Sequence, residues 1–432
     1  MKLVLIAIFG IHLFIAFYST LVNNYVLYIS KELGLPNLII EFNLLFLASA
    51  LVFTPILFYL KNIIGKKRII VLSLINFLGA IAILFYGIYT NDPNILLIGG
   101  ILEGITFSVL FPLLNSVIAK IDGKNLGKNL GNIDIIWILI AVFIPIIIIY
   151  ISMELFILIT AIHIISILGV ILIFLNRFDE EALKAYKINK LELRNLFLFV
   201  IILLSLIYGV VNLQPIFIIL AAMIYLIVYL DRFRWENITI LKSDRKTILF
   251  TLLFISILIL YIPINLFGWI LMTQLNVSID IVLLIISINT LISAIAIRLA
   301  SKWLDEKDYH RLVGTGIFIM LLGGFIGLAG LYILSFILLS FGLNMIGPVF
   351  IRKLLLDVQD DALRDKNSTD YMFVLRLGTI LSMKFGYIIV EYLGLWNMTI
   401  ILIVTTIVYY LIVKYKLFPT MNVGSVTISW KI

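Results

Sequence analysis

There is no cysteine anywhere in the chain. That removes disulfide frameworks, thiolate metal sites and cysteine nucleophiles together. Histidine is nearly as scarce, with three residues, and no His-Glu-x-x-His, Gly-x-Ser-x-Gly or metal-spaced His/Asp cluster occurs. Charge is the third shortage: 13% of residues are charged, whereas 63% are hydrophobic and the mean hydropathy is +1.19. No polar stretch is long enough to fold alone, so a soluble globular protein is excluded. An enzyme is not expected either, because the polar loops are too short to converge several groups on a site, and neither cofactor nor metal is expected. The charge that remains is basic, net +8 with a pI near 9.3. Its Lys and Arg residues are sorted between apolar runs, which is a topology signal and not a nucleic-acid footprint.

Crossing about 30 Å of hydrocarbon takes about 20 helical residues. On that ruler six spans fall at 3–22, 37–60, 69–89, 95–119, 135–151 and 155–176, with breaks at Asn23-Asn24 to Pro36 and at Thr90 to Pro93. Six more fall at 247–268, 278–304, 312–334, 335–357, 371–389 and 395–413, with a turn near Leu334-Ser335. Between them, Asn195 to Leu230 is a further apolar block split by Asn212-Leu-Gln-Pro215 and flanked on both sides by basic residues. Both flanks belong on the cytoplasmic side, so the block crosses an even number of times, as two short helices. Fourteen spans with both termini cytoplasmic then sort every Lys and Arg to that side except Lys31, Arg376 and Lys384, the last two lying within a span. The apolar run after Met1-Lys2 passes Tyr18 without a small-x-small site and is read as an uncleaved first span. The expected organisation is an N-terminal bundle at 1–176, a linker with the two additional helices at 177–245, a C-terminal bundle at 246–414 and a cytoplasmic tail at 415–432.

The halves repeat. Asn62 and Asp305 lie 243 residues apart, each in a short charged turn between two apolar spans. The first turn, Phe58-Tyr-Leu-Lys-Asn62-Ile-Ile-Gly65-Lys66-Lys67-Arg68, resembles the loop between the second and third helices of the major facilitator superfamily, Gly-x-x-x-Asp-Arg-x-Gly-Arg-Lys. Gly65, Lys66 and Lys67 match its end and Asn62 replaces the Asp; Asp305 keeps the acid in the second copy. Gly104 to Pro112 and Gly123 to Gly131 are similar to that family's stretch joining helices four and five. The six-plus-two-plus-six plan resembles its fourteen-helix branch. Two departures limit the transfer: the family's fourth-helix Arg falls at Gly100 and its Gln at Glu103, and the Gly-Pro antiporter signature is absent around Phe143-Ile-Pro145. The resemblance therefore implies an all-α integral membrane protein of two pseudo-symmetric six-helix bundles. It implies a monomeric secondary active transporter of the cell membrane that moves a small solute by alternating access with protons. A flippase of lipid-linked saccharides or lipids is the alternative, although that class adds its extra pair after the two halves.

Ionisable groups inside spans are functional candidates by default. His12 lies about 14 Å from the inner end of its span and Glu103 about 12 Å from the outer end of its own. The resemblance places both on cavity-lining helices, as a coupled protonatable pair. Tyr18, Tyr261, Asn265 and Asn344 fall on the corresponding helices and complete the expected solute and proton site. Glu41 and Lys384 lie about 6 and 8 Å below the outer ends of facing helices and are the expected outer gate. Asn62, Gly65 and Lys66, with Asp305, Asp134 and Arg298, are the expected inner latches.

Overall fold

The computed structural model describes residues 2–122, 126–177, 252–305, 309–351 and 361–413, together with 201, 204 and 205. These residues are helical almost throughout, and there is no strand among them. The first half comprises α1 (Lys2–Glu32), α2 (Leu38–Ile64), α3 (Lys66–Thr90), α4 (Pro93–Asp122), α5 (Leu126–Tyr150) and α6 (Met153–Arg177). The second begins with a broken helix, α7 (256–273), followed by α8 (Ile279–Asp305), α9 (Tyr309–Leu328) and α10 (Tyr332–Ile351). Helical residues then run from Asp361 to Ile412, 52 in all. At 1.5 Å per residue that is roughly 78 Å, far beyond a bilayer. Gly394, at φ 79° and ψ 170°, divides the run into α11 (361–393) and α12 (395–412). Two bundles of six result, as expected. The pair of helices expected within 195–230, the rest of the linker beyond Arg177 and the tail at 415–432 lie outside the described residues, save 201, 204 and 205.

Hydropathy measures the hydrocarbon-crossing part of a helix, and the helices run past it. The break expected at Asn23-Asn24 is absent, and α1 continues to Glu32. Asn24 is accommodated because its side-chain amide donates to the Thr20 carbonyl one turn back, at 2.8 Å, so the polar group is satisfied within its own helix. The α9–α10 turn falls at 329–331 and not near Leu334-Ser335, because Gly330 supplies the left-handed backbone (φ 84°) that the reversal needs. The basic turn between α2 and α3 contracts to one residue, Gly65, at φ 89° and ψ 153°. That region is essentially closed to side chains. Gly65→Ala is expected to lower the stability of the detergent-solubilised protein by about 1–3 kcal/mol. Gly79→Ala, in open space on α3, should be neutral or slightly stabilising in the same thermal melt.

The end at which α1 begins and Gly65 lies is termed inner, and the opposite end outer. Large apolar side chains such as Ile165 and Leu172 on α6 and Phe325 on α9 stand exposed. In water these would form a sticky surface, whereas lipid tails solvate them. Inside each half, glycines let helices approach: Gly104 of α4 meets the Phe46 carbonyl of α2, and Gly342 of α10 meets the Gly316 carbonyl of α9. Between the halves, α5 packs on α8, α2 packs on α11, and α1 touches α7 and α8. Everything of functional interest lies along those inter-half contacts or in the buried polar layer behind them.

Candidate solute and proton site

Glu103 is the most deeply buried carboxyl among the described residues, at 1% exposure. Its direction follows from its neighbour. Gly104 fixes one face of α4 against α2, and successive residues turn by about 100°, so Glu103 faces α1. There the Ser19 hydroxyl comes within interacting range of the carboxyl, and Tyr18 lies beside it. One carboxyl oxygen, Oε1, has no hydrogen-bond partner. At Gly100, one turn back, where the resembling family has Arg, a Cβ would lie 2.8 Å from the Phe42 ring, so a side chain there would require that ring to turn. The layer continues behind Glu103. Asn76 of α3 donates to the Leu102 carbonyl (2.8 Å) and to Thr106 Oγ1 (2.9 Å), which locks α3 to α4 at this level.

His12 is also buried, but it does not sit at Glu103. Ser19 stands seven residues, about 10 Å, further along α1, and helical side chains lean toward the N-terminus, which carries the imidazole further away. The two groups occupy successive levels on one face of α1 instead of forming a contact pair. Tyr18 donates to the Ile81 carbonyl of α3 at 3.1 Å and meets Phe77 edge-on, so it points into its own half. His163 of α6 is a packing residue: Nδ1 lies 2.8 Å from the Ile159 carbonyl and the ring is surrounded by Phe14, Phe17 and Tyr18.

In the second half the corresponding helix is broken. α7 consists of a π-turn at Ser256–Leu260, a short helix Ile262–Asn265 and another at Phe267–Thr273, with Pro263 preventing a regular join. Tyr261 stands at the first junction, with its hydroxyl 3.9 Å from where a Gly347 Cβ would be. Asn265, next to the second junction, donates to Ser382 of α11 at 3.1 Å. Asn344 donates to the Ser340 carbonyl at 2.8 Å within α10, and it is Ser340 Oγ, 2.9 Å from Ser293 Oγ, that ties α10 to α8.

Beside the break lies a cavity of 270 Å³ between the halves. Asn23 and Asn24 of α1 and Asn43 of α2 line it from one half, and Asn265 and Trp269 of α7 from the other. Of the six residues expected to bind solute or protons, Asn265 alone is part of this lining. Trp269 also closes the outer end, because its indole N–H donates across the interface to Asn37 Oδ1 at 3.2 Å. Its ring packs on Tyr387 of α11 with centroids 5.1 Å apart, and the Lys384 ammonium lies 6.0 Å from the Tyr387 centroid. Glu41 is exposed on α2 and acts on Lys384 through space without a direct salt bridge. Here a neutral indole–amide contact closes the position where an ion pair was expected.

The largest omission of sequence reasoning is Arg376. It sits midway along α11, is 5% exposed, and donates to the Ala50 carbonyl of α2 (3.0 Å) and the Phe107 carbonyl of α4 (3.4 Å). Its signal was legible, as one of two basic residues inside a span, but nothing in the sequence tells which helices it would reach. At the inner end, Arg298 is exposed, and Asp305 ends α8, which packs along α5. The side chains of Asn62, Lys66, Asp134 and Asp305 lie outside the described residues.

Two six-helix bundles facing each other across an interface with a broken helix, a cavity and buried polar bridges define a membrane carrier. The chain belongs to the Major Facilitator Superfamily, whose sequence profile matches residues 7–243. Among solved structures it is similar to an auto-inhibited POT family peptide transporter, at 12% identity over 98% of this chain and 99% of that one, with a TM-score of 0.68. It is also similar to a D-xylose-proton symporter, at 13% identity over 94% and 96% of the two chains with a TM-score of 0.61. The inward-open xylose transporter XylE from E. coli matches at 14% identity over 98% and 97%, again at 0.61. At these identities the likeness is one of fold. No curated protein matches the chain in sequence. The family and these neighbours are transporters and not enzymes.

Proposed function

We propose that the protein is a proton-coupled carrier of a small solute in the cell membrane, working by alternating access with both termini cytoplasmic. Glu103 supplies the protonatable group. The observation that carries this reading is a fully buried carboxyl beside Tyr18 and Ser19 with one oxygen unpartnered. An ionised carboxylate in that setting is costly, and a neutral one is not. Proton uptake from the outer side therefore permits the closed, buried arrangement, and proton release accompanies reopening to the inner side. His12, two turns nearer the inner end on α1, is the next protonatable station along that path. Tyr18, Tyr261 and Asn344 hold the helices that move, and Asn265 reaches the solute. Glu41 and Lys384 flank the outer gate closed by Trp269. Gly65, with Asn62, Lys66, Asp134, Arg298 and Asp305, forms the inner latch. The solute-carrier reading is favoured over the flippase alternative because α1–α6 and α7–α12 form the two halves with residues 178–251 between them, whereas the flippase plan places its additional helices last. The neighbours' printed substrates, peptide and xylose, differ from each other and do not select a cargo.

The test is uptake into liposomes with an imposed pH gradient, screened over candidate solutes. For the solute found, Glu103→Gln should abolish gradient-driven accumulation and leave solute exchange within about twofold of the parent. Accumulation against a gradient that still follows protons in this variant would remove Glu103 from the coupling role.

A further inference from the structure

The lining of the inter-half cavity is chemically uniform. Among the described residues, four amide side chains and one indole supply all the polar side chains of its lining, and none that lines it is ionisable. The remaining wall is aliphatic or formed by Met383 and Gly268, where α7 approaches Leu27 of α1 closely enough that a Cβ would lie 3.2 Å from it. The two halves contribute comparable shares, Asn23, Asn24 and Asn43 from one and Asn265 and Trp269 from the other.

The hydrogen-bonding state of these groups sets the preference. The Asn24 amide nitrogen gives one N–H to the Thr20 carbonyl, which can only accept, so its second N–H and its carbonyl oxygen remain. Asn265 gives one N–H to Ser382 and likewise keeps a second N–H and its oxygen. The Trp269 N–H, a donor only, is committed to Asn37. The cavity therefore offers neutral donors and acceptors from both halves, with the whole amides of Asn23 and Asn43 able to give or take. Neither an anion nor an ammonium would meet a countercharge in this lining, so a charged group gives up hydration there without an ionic partner. A neutral molecule with several hydroxyl groups can donate to the amide oxygens and accept from their remaining N–H groups. At 270 Å³ the cavity lies at the lower edge of the range usual for ligand sites, about 300–1,000 Å³, which suits a small solute.

We propose that the cavity between Asn23, Asn24 and Asn43 of one half and Asn265 and Trp269 of the other binds a small, uncharged polyhydroxylated solute of monosaccharide or polyol size. The proposal deepens the carrier reading and rests on it. A solute bridging amides from both halves draws them together under the Trp269–Asn37 closure, so occupancy itself favours the occluded state.

The experiment measures binding without any gradient. Purified full-length protein in detergent is melted with glucose, xylose or xylitol, and in parallel with lactate, lysine or glycylglycine. At least one neutral polyhydroxylated probe should raise the melting temperature saturably by about 2 °C or more. The rise should vanish in both Asn43→Leu and Asn265→Leu, whose own melting temperatures in the absence of probe report that they are folded. A shift given only by a charged probe, no shift from any of the three neutral ones, or a shift that survives both substitutions overturns the proposal. Repeating the melt with Glu103→Gln separates the two readings. Binding that persists there while proton-driven uptake fails locates the fault in the coupling, and proton-driven uptake of a charged solute would spare the carrier reading and refute this one.

Discussion

Arg376→Met should shift the resting population of the carrier away from the state seen here by at least tenfold. The guanidinium of α11 reaches across the midplane to the Ala50 carbonyl of α2 and the Phe107 carbonyl of α4, so two bonds from one half are held by one side chain of the other. Hydrogen bonds from a charged donor contribute about 1.5–3 kcal/mol each. The desolvation of a buried Arg offsets part of that sum. One such bond net of the offset still corresponds to about a factor of ten, since 1.4 kcal/mol is tenfold at room temperature. Removal orphans neither of these two carbonyls, because each has a second lone pair for its own helix. Methionine fills much of the volume without the charge. The absence of native cysteine makes the measurement clean: a single Asn43→Cys, in the cavity wall, is the sole target of a membrane-impermeant thiol reagent. Added at the outer end, the reagent should label the Arg376→Met background about ten times faster than the parent. Equal labelling rates would show that Arg376 does not hold the halves together. Arg376→Lys should fall between, because an ammonium keeps the charge but cannot fork to two carbonyls with the same geometry.

Gly104→Leu should prevent the first bundle from forming. A Cβ at Gly104 would overlap the Phe46 carbonyl and the Ser49 hydroxyl of α2. The carbonyl belongs to a helix backbone and cannot rotate aside, so α2 and α4 must separate. Gly100, four residues earlier, meets only the ring of Phe42, which can turn. The pair is a small-xxx-small contact of the kind that brings membrane helices to close range. Gly104→Ala is expected to destabilise by about 1–3 kcal/mol, the usual penalty of overpacking, partly offset by the better helix propensity of Ala. Leucine at the same site exceeds what packing can absorb, and monodisperse protein should be lost on size-exclusion chromatography. Gly79→Leu, where nothing lies within 4 Å of a Cβ, is the control and should elute normally. Because Gly104 also aims Glu103 at α1, the Ala variant should impair proton-driven uptake more than its stability loss alone explains.

Both results depend on which faces of the helices meet, and that was the unreadable part of the sequence. Glu103, Arg376 and Lys384 announce themselves as ionisable residues in apolar runs, and Gly65 as a glycine in a tight turn. Pairing them is another matter. The sequence suggested His12 for Glu103 and Glu41 for Lys384, since each pair lies at a similar depth on helices expected to face one another. The structure instead brings Ser19 and Tyr18 to Glu103, and beside Lys384 it sets the Tyr387 ring, with Glu41 acting on the ammonium only through space. Asn37 and Trp269, which close the outer end, lie 232 residues apart, and Arg376 and Ala50 lie 326 apart. Neither Asn37 nor Trp269 carried a charge that would have marked it.

The sequence by itself determined that this is a helical membrane protein, roughly where its spans fall, and that its halves repeat. Those properties are one-dimensional: the bilayer sets a span's length, backbone hydrogen bonds must close within each helix, and loop charges sort by side. Only the tertiary structure decided that three asparagines of α1 and α2 face Asn265 and Trp269 across one cavity, and that Arg376 ties α11 to α2 and α4. The physical reason is that the spans are apolar around nearly their whole circumference. Their periodicity therefore does not say which side turns to a neighbour and which to lipid. Rotation and depth come from close packing at positions such as Gly104, where a backbone-to-backbone contact leaves one arrangement open.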